Sequence, residues 1–280
     1  MKLKKVAIIG MGLIGGSIGK ALLEKNLAGE VVGVCRRQSS LDRAVNEKSL
    51  TKGYVNSYTE ALKGAEVVFI ATPVDTIKKT LELAAGAIKD NKVIVTDVGS
   101  TKKEIVDYAK KFKDSFSFVG SHPLAGSEKR GVEHSSSALF EGSLCVLTSD
   151  GSTNPHSLKS VQNLWEALGA QVDVITPEAH DRALAFTSHL PHVVAYALAG
   201  SEEEKYARYA STGFKDTTRI ASSDPTLWVD ILMSNRGNVL ESIKRFKGIL
   251  SLIEDDIAGG RAEDLREKLT EYKKIRDEIV

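Results

Sequence analysis

The sequence predicts an α/β fold, a doubly wound parallel sheet over residues 1–176 followed by an all-α segment over residues 177–280. Three observations predict it. The chain opens on a short apolar run, Val6-Ala7-Ile8-Ile9, which ends in Gly10-x-Gly12-x-x-Gly15 and passes into an apolar, helix-like stretch with Ile18, Ala21 and Leu22. Short apolar runs then alternate with amphipathic stretches as far as residue 176, the pattern of βαβ units. After Pro177 the strand pattern stops and only helical spacing remains.

Length and composition narrow the possibilities. A chain of 280 residues holds one or two domains with room for a real core. The formal net charge is +1 and 42% of residues are hydrophobic, so no basic excess points to nucleic acid or to an anionic membrane. No apolar run approaches the roughly 20 residues that a membrane span requires. Lys2, Lys4 and Lys5 lead only into a short strand, which is not a signal-peptide pattern. Cys35 and Cys145 lack metal-ligand spacing, and the expectation is a reducing, cytoplasmic setting with no metal.

In the first unit each glycine has a physical task. Gly10 permits a tight turn, Gly12 lets a pyrophosphate approach the backbone, and Gly15 lets helix pack close on strand. The helix that begins at Leu13 and Ile14 presents free N–H groups and its positive dipole end to the phosphates. The expected ligand is a dinucleotide. The second strand, Val31-Val32-Gly33-Val34-Cys35, ends where a ribose-binding acid usually stands, but here Cys35 is followed by Arg36, Arg37, Gln38 and Ser39. Without the acid there is no repulsion against a 2′-phosphate, and the guanidiniums and hydroxyl are donors for one. NADP is therefore the preferred cofactor. The alternative is an NAD enzyme whose arginines lie in a solvated loop.

A helix with Ala44 and Val45, a short strand near Tyr54 and a buried strand over 65–71 come next. That strand ends in Thr72-Pro73, a turn expected to lie over the ribose and nicotinamide. A helix over 75–88 precedes the strand Lys92-Val93-Ile94-Val95-Thr96-Asp97-Val98, which runs into Gly99-Ser100-Thr101-Lys102 and another helix through Lys111. Ser100 stands at a strand carboxyl end, where ligands bind in such sheets. Its two readings are a substrate contact and a helix N-cap, and they are compatible. The strand over 116–120 leads to His122, fixed by Pro123 and expected at the sheet edge, where it reads as a general base. Strands near 144–148 and 172–175 flank a helix over 157–168.

In the helical segment, His189 and His192 share one side of a helix, and Pro191 predicts a kink by freeing the Thr187 carbonyl. No carboxylate or cysteine completes a metal site with these histidines, so a substrate contact by at least one of them is expected. Lys215 and Arg219 are four apart and suit a small dianionic substrate, unless Asp216 neutralises Arg219. Ser222-Ser223-Asp224-Pro225 opens a further helix. The segment 241–280 alternates acids and bases along apolar stripes, a solvated face with room for a dimer seam.

With these residues in view, the chain resembles the prephenate/arogenate dehydrogenase family of tyrosine biosynthesis. The resemblance rests on Gly10-x-Gly12-Leu13-Ile14-Gly15, Asp97-Val98-Gly99-Ser100-x-Lys102, His122-Pro123-x-Ala125-Gly126, Ser188-His189-Leu190-Pro191-His192 and Gly213-Phe214-Lys215-Asp216-x-x-Arg219. It implies a Rossmann-type domain followed by an all-α dimerisation domain, a homodimer, and oxidative decarboxylation of prephenate to 4-hydroxyphenylpyruvate. By the same resemblance His122 is the base and Ser100 orients the reacting hydroxyl. Arg219 holds the ring carboxylate, His192 and Lys215 hold the side-chain end, and Ser188 and His189 line the site. Glu128 would sit at the mouth of the cleft. Tyrosine feedback at the active site is a further implication. The alternatives are arogenate or dual-specificity cyclohexadienyl dehydrogenase activity and, from another class, a non-catalytic NAD(P)-binding regulator.

Overall fold

The computed structural model describes residues 2–279 except 89, 127, 128 and 130. By backbone contacts the chain divides into two compact units, Met1–Asn235 and Arg236–Val280.

The first unit is built on β1 (Leu3–Ile9), α1 (Leu13–Glu24), β2 (Ala28–Cys35), α2 (Gln38–Asn46), β3 (Lys52–Val55), α3 (Tyr58–Leu62), β4 (Val67–Ile70), α4 (Val74–Ala87), β5 (Ile94–Asp97), α5 (Lys103–Ala109), β6 (Ser117–Pro123), β7 (Leu144–Thr148), α6 (Pro155–Leu168) and β8 (Gln171–Ile175). It continues through α7 (Pro177–Leu184), α8 (Leu190–Gly200), α9 (Thr212–Thr218) and α10 (Pro225–Ser234). The eight strands form one sheet in the order β3-β2-β1-β4-β5-β6-β7-β8. Order reverses between β1 and β4, which makes the switch point where ligands bind in open α/β sheets.

Side chains alternate across the sheet, so β1 feeds two cores. Val6 and Ile8 join a cluster with Ile18, Leu22, Phe69 and Trp165. Ala7 and Ile9 join another with Val68, Ile70, Ile77 and Leu81. A strand buried on both faces reads as a continuous apolar run, which is why these strands stand out in the sequence.

Two expectations are corrected here. The sheet is not wholly parallel: β6 pairs antiparallel with β7, while β7 pairs parallel with β8. Among the described residues between β6 and β7 there is no α-helix, and an antiparallel neighbour does not require a crossover helix. His122, expected immediately after the strand, instead lies within it. It is the penultimate residue of β6 and faces Val146 on β7.

In the helical part, the expected irregularity before Pro191 is a single π-turn at Ala185–His189, which runs directly into α8. Asp224 caps α10, its carboxylate accepting from the amides of Thr226 and Leu227. The second unit consists of α11 (Arg236–Ala258) and α12 (Ala262–Ile279), which pack on each other. There the buried Asp256 accepts from Arg261 Nε at 3.0 Å and Lys268 Nζ at 2.6 Å. Among the described residues no helix is long and apolar enough to cross a membrane.

Candidate active site

Register brings the chemistry to one edge. Ile9 pairs with Val34 and with Ile70, and Ile70 pairs with Asp97. The residues that follow, Gly10, Arg36, Thr72 and Ser100, therefore emerge together at the carboxyl ends of the strands.

The glycine loop has the form that a dinucleotide needs. Gly10 has φ +98°, and a Cβ there would lie 2.5 Å from the Ala71 carbonyl oxygen. A Cβ on Gly15 would lie 1.9 Å from the carbonyl oxygen of Gly10. Gly12 is different, because a Cβ there meets nothing within 4 Å. Open space at the middle glycine, directly before the first turn of α1, is room for a phosphate to meet bare amides. No side chain caps α1, so those amides remain available. The Thr72 hydroxyl is buried with no hydrogen-bond partner among the described residues, a polar atom for a ligand to satisfy. Pro73 follows and sets the start of α4. These features fit a nicotinamide dinucleotide.

At the end of β2, Cys35 is buried, whereas Arg36, Arg37 and Ser39 are exposed around the start of α2. Two guanidiniums and a hydroxyl thus stand where an acid would face a ribose.

At β5 and β6 the site is a buried polar network. Lys102 and Asp97 are both fully buried and form an ion pair. Asp97 also accepts from the amides of Gly99 (2.9 Å) and Ser121 (3.2 Å), which ties the β5 loop to the residue preceding His122. His122 Nδ1 lies 2.9 Å from His180 Nε2, and His180 Nδ1 lies 2.8 Å from Asp181 Oδ1. Asp181 in turn accepts from the amides of Lys102 (2.7 Å) and Lys103 (2.9 Å). This overturns the N-cap reading of Ser100. α5 starts at Lys103, and its first amides are satisfied by a carboxylate on α7. Ser100 is half-buried, with no hydrogen bond from its hydroxyl among the described residues.

The histidines are electrically quiet. Burial pushes His122 well below its ordinary pKa, and His180, Lys102 and His189 push it the same way. His180 is also lowered, chiefly by burial. His189 is pushed down to about 4 by burial; its Nδ1 accepts from Asn235 Nδ2 at 3.2 Å. It is 1% exposed, so the structure gives it a packing role in the wall. His192 is half-buried, donates from Nδ1 to the Ser188 carbonyl and lies flat on Trp228. Burial lowers its pKa and outweighs the hydrogen bond to Ser188, and the Arg219 charge acts in the same direction as burial. Lys215 is exposed on α9, and Arg219 is exposed just past its end. No Asp216–Arg219 ion pair is present among the described residues. Glu128 lies outside the described residues.

Sequence reasoning missed His180, Asp181, Lys102, Asp97 and Trp228 as site residues. The adjacent His180-Asp181 pair was a visible signal, but nothing local aims it at His122. Among the described residues no group of three or more His, Cys, Asp or Glu forms a metal site.

A neutral, half-buried histidine with a carboxylate-backed partner, at the carboxyl end of a sheet whose β1 carries a dinucleotide loop, is the constellation of a dehydrogenase. Comparison with known proteins agrees. The family model "Prephenate dehydrogenase, nucleotide-binding domain" matches residues 18–174, and "Prephenate dehydrogenase, dimerization domain" matches residues 176–271. The chain belongs to the prephenate dehydrogenase family. Within that family it is 34% identical to the prephenate dehydrogenase of Bacillus subtilis, over 97% of this chain and 75% of that protein. It is 33% identical to the cyclohexadienyl dehydrogenase of Zymomonas mobilis, over 98% and 95%. The crystal structure of prephenate dehydrogenase from Aquifex aeolicus, in complex with hydroxyphenyl propionate and NAD+, superposes with a TM-score of 0.93 at 34% identity, covering 100% of this chain and 99% of that one.

Proposed function

We propose that this chain catalyses the oxidative decarboxylation of prephenate to 4-hydroxyphenylpyruvate in tyrosine biosynthesis. The observation that carries this reading is His122, a neutral imidazole with part of its surface accessible, at the carboxyl end of β6 in the sheet whose β1 carries the dinucleotide loop. The nicotinamide cofactor, when bound, accepts the hydride from ring C4. His122 takes the proton of the C4 hydroxyl, whose oxygen becomes a ketone as the hydride departs. The resulting dienone loses its ring carboxylate as CO2. The electron pair of the broken C–C bond aromatises the ring, and the phenolate oxygen recovers the proton from His122. Ser100, with an unengaged hydroxyl, orients the C4 oxygen. Arg219 holds the ring carboxylate, and His192 and Lys215 the pyruvyl end, with Ser188 and His189 in the wall.

Arogenate is the second substrate to test, because the Zymomonas relative at 33% identity is a cyclohexadienyl dehydrogenase. NADP is the preferred cofactor in this reading, supported by Arg36, Arg37 and Ser39 around an acid-free strand end. Residues 1–176 form the cofactor domain and 177–280 the substrate and dimerisation domain. Exposed Phe246, Ile249, Leu250, Leu252, Ile257 and Leu269 on α11 and α12 support a homodimer, which light scattering at micromolar concentration tests. Two buried, unpaired cysteines support a cytoplasmic setting. Tyrosine shares the product's phenol and would compete at the same site.

The test is absorbance at 340 nm with prephenate or arogenate and each cofactor. Reduction with prephenate supports the reading, and reduction with arogenate alone moves the substrate. No reduction in any combination would return the chain to a non-catalytic NAD(P)-binding role.

A further inference from the structure

We propose that Asp181 and His180 fix the tautomer of His122, so that Nδ1 carries the proton and Nε2 presents the lone pair that acts as base. The inference rests on the assignment of His122 as general base, and it makes His180 and Asp181 positioning residues that do not touch the substrate.

Asp181 Oδ1 receives the Lys102 amide at 2.7 Å and Oδ2 the Lys103 amide at 2.9 Å. The Lys102 amide stands at the N-cap of α5 and the Lys103 amide opens its first turn, and neither has a partner within that helix. Burial raises the Asp181 pKa, but His180 and the two amides outweigh it and keep the group ionised, below the usual carboxylate range. An ionised carboxylate only accepts, so His180 Nδ1, at 2.8 Å, must be the donor. A neutral imidazole with Nδ1 protonated has a lone pair on Nε2. That lone pair faces His122 Nδ1 at 2.9 Å, so His122 Nδ1 must donate. The remaining nitrogen of His122 is then an acceptor. The reverse order would set two lone pairs against each other at Asp181, where His180 and Asp181 are 0% and 2% exposed and no water can mediate.

The other charged and titratable groups near His122 do not compete for Nδ1. Lys102 is paired with Asp97, and Asp97 is filled by Lys102, Gly99 and Ser121. His189 accepts from Asn235. Cys145, on β7, is buried. When His122 takes the substrate proton, the new charge lies one imidazole from a carboxylate, which holds the cation without accepting its proton. The logic is that of a base oriented by a third group, extended here by one ring.

The experiment uses the full chain, with histidine labelled with 15N and no substrate needed. Two-bond 15N–1H correlations, assigned with single histidine variants, report which nitrogen of His122 is protonated. The wild type is expected to show His122 protonated at Nδ1. Asp181→Asn retains an oxygen for the α5 amides, but its NH2 can donate to His180 Nδ1 and reverse the chain. His122 should then be protonated at Nε2, and kcat should fall by about 10²–10⁴-fold with KM and cofactor affinity little changed. His180→Gln, which keeps an acceptor oxygen near the Nε2 position, should retain kcat within about tenfold, whereas His180→Phe should resemble Asp181→Asn. If Asp181→Asn does not fold, the Gln and Phe pair decides the matter. The proposal is overturned if wild-type His122 is protonated at Nε2, if folded Asp181→Asn keeps kcat, or if Gln and Phe at 180 are equally impaired. A wild type with the expected tautomer but no turnover of prephenate or arogenate would sink the proposed function and leave the relay intact.

Discussion

His192 and Trp228 lie face to face, with ring centroids 3.4 Å apart and planes 22° from parallel. The imidazole is also held from the other side, since its Nδ1 donates to the Ser188 carbonyl at 3.0 Å. A ring fixed by a stack and a hydrogen bond presents Nε2 in one orientation. Trp228→Leu removes the stack, which typically contributes about 0.5–1.5 kcal/mol. KM for prephenate is expected to rise by roughly two- to tenfold with little change in kcat. A fall confined to kcat would show that Trp228 acts on the chemical step instead.

His122 must be neutral to act as base. Its pKa is lowered, mainly by burial, so the neutral form persists as pH falls through 6.5. The rate should be flat from pH 8 to below 6.5 and decline only at more acid pH. His122→Asn can hydrogen-bond but cannot take a proton, and kcat should drop by about 10²–10⁴-fold. If the acid limb survives in His122→Asn and disappears in His192→Asn, the base is His192.

Stability should follow the same buried histidines. His189 titrates at about 4 in the folded protein and near its ordinary value when unfolded. Between those values the unfolded chain binds the extra proton, so stability is complete above about pH 6.5 and is lost as pH falls toward 4. Thermal unfolding across this window tests it. His189→Gln should show a shallower decline, and an unchanged slope would remove His189 from the account.

Arg219 is exposed, and its charge acts to lower the His192 pKa. As a carboxylate clamp it contributes about 1.5–3 kcal/mol, so Arg219→Ala should raise KM by roughly 10- to 100-fold. Tm and cofactor affinity should stay as they were. An unchanged KM would assign the carboxylate to Lys215 alone.

The proposed NADP preference makes residue 35 the position to test. The ratio of kcat/KM for NADP over NAD should exceed one, and Cys35→Asp should invert it by repelling the 2′-phosphate. A wild type that prefers NAD would mean that Arg36 and Arg37 serve the adenine face only.

Much of this molecule was legible in the sequence because its signals are local. Gly10, Gly12 and Gly15 are read from spacing, since turn, approach and packing are each imposed by the absence of a side chain at one position. The strands of β1, β4 and β5 are read from continuous apolar runs, since both faces are buried. The π-turn at Ala185–His189 follows from Pro191, and the start of α10 from Asp224-Pro225. Only the tertiary structure decided which way β7 runs, because a connection as long as residues 124–143 is compatible with either direction until the sheet forms. It alone brought Asp181 to the first turn of α5, 78 residues away in sequence from Lys103, and thereby moved the helix cap from Ser100 to another element. It alone set His180 against His122, across 58 residues. Local spacing dictates backbone conformation and burial, but hydrogen-bond partners in a buried network are chosen by which elements pack together, and that information exists only once the chain has folded.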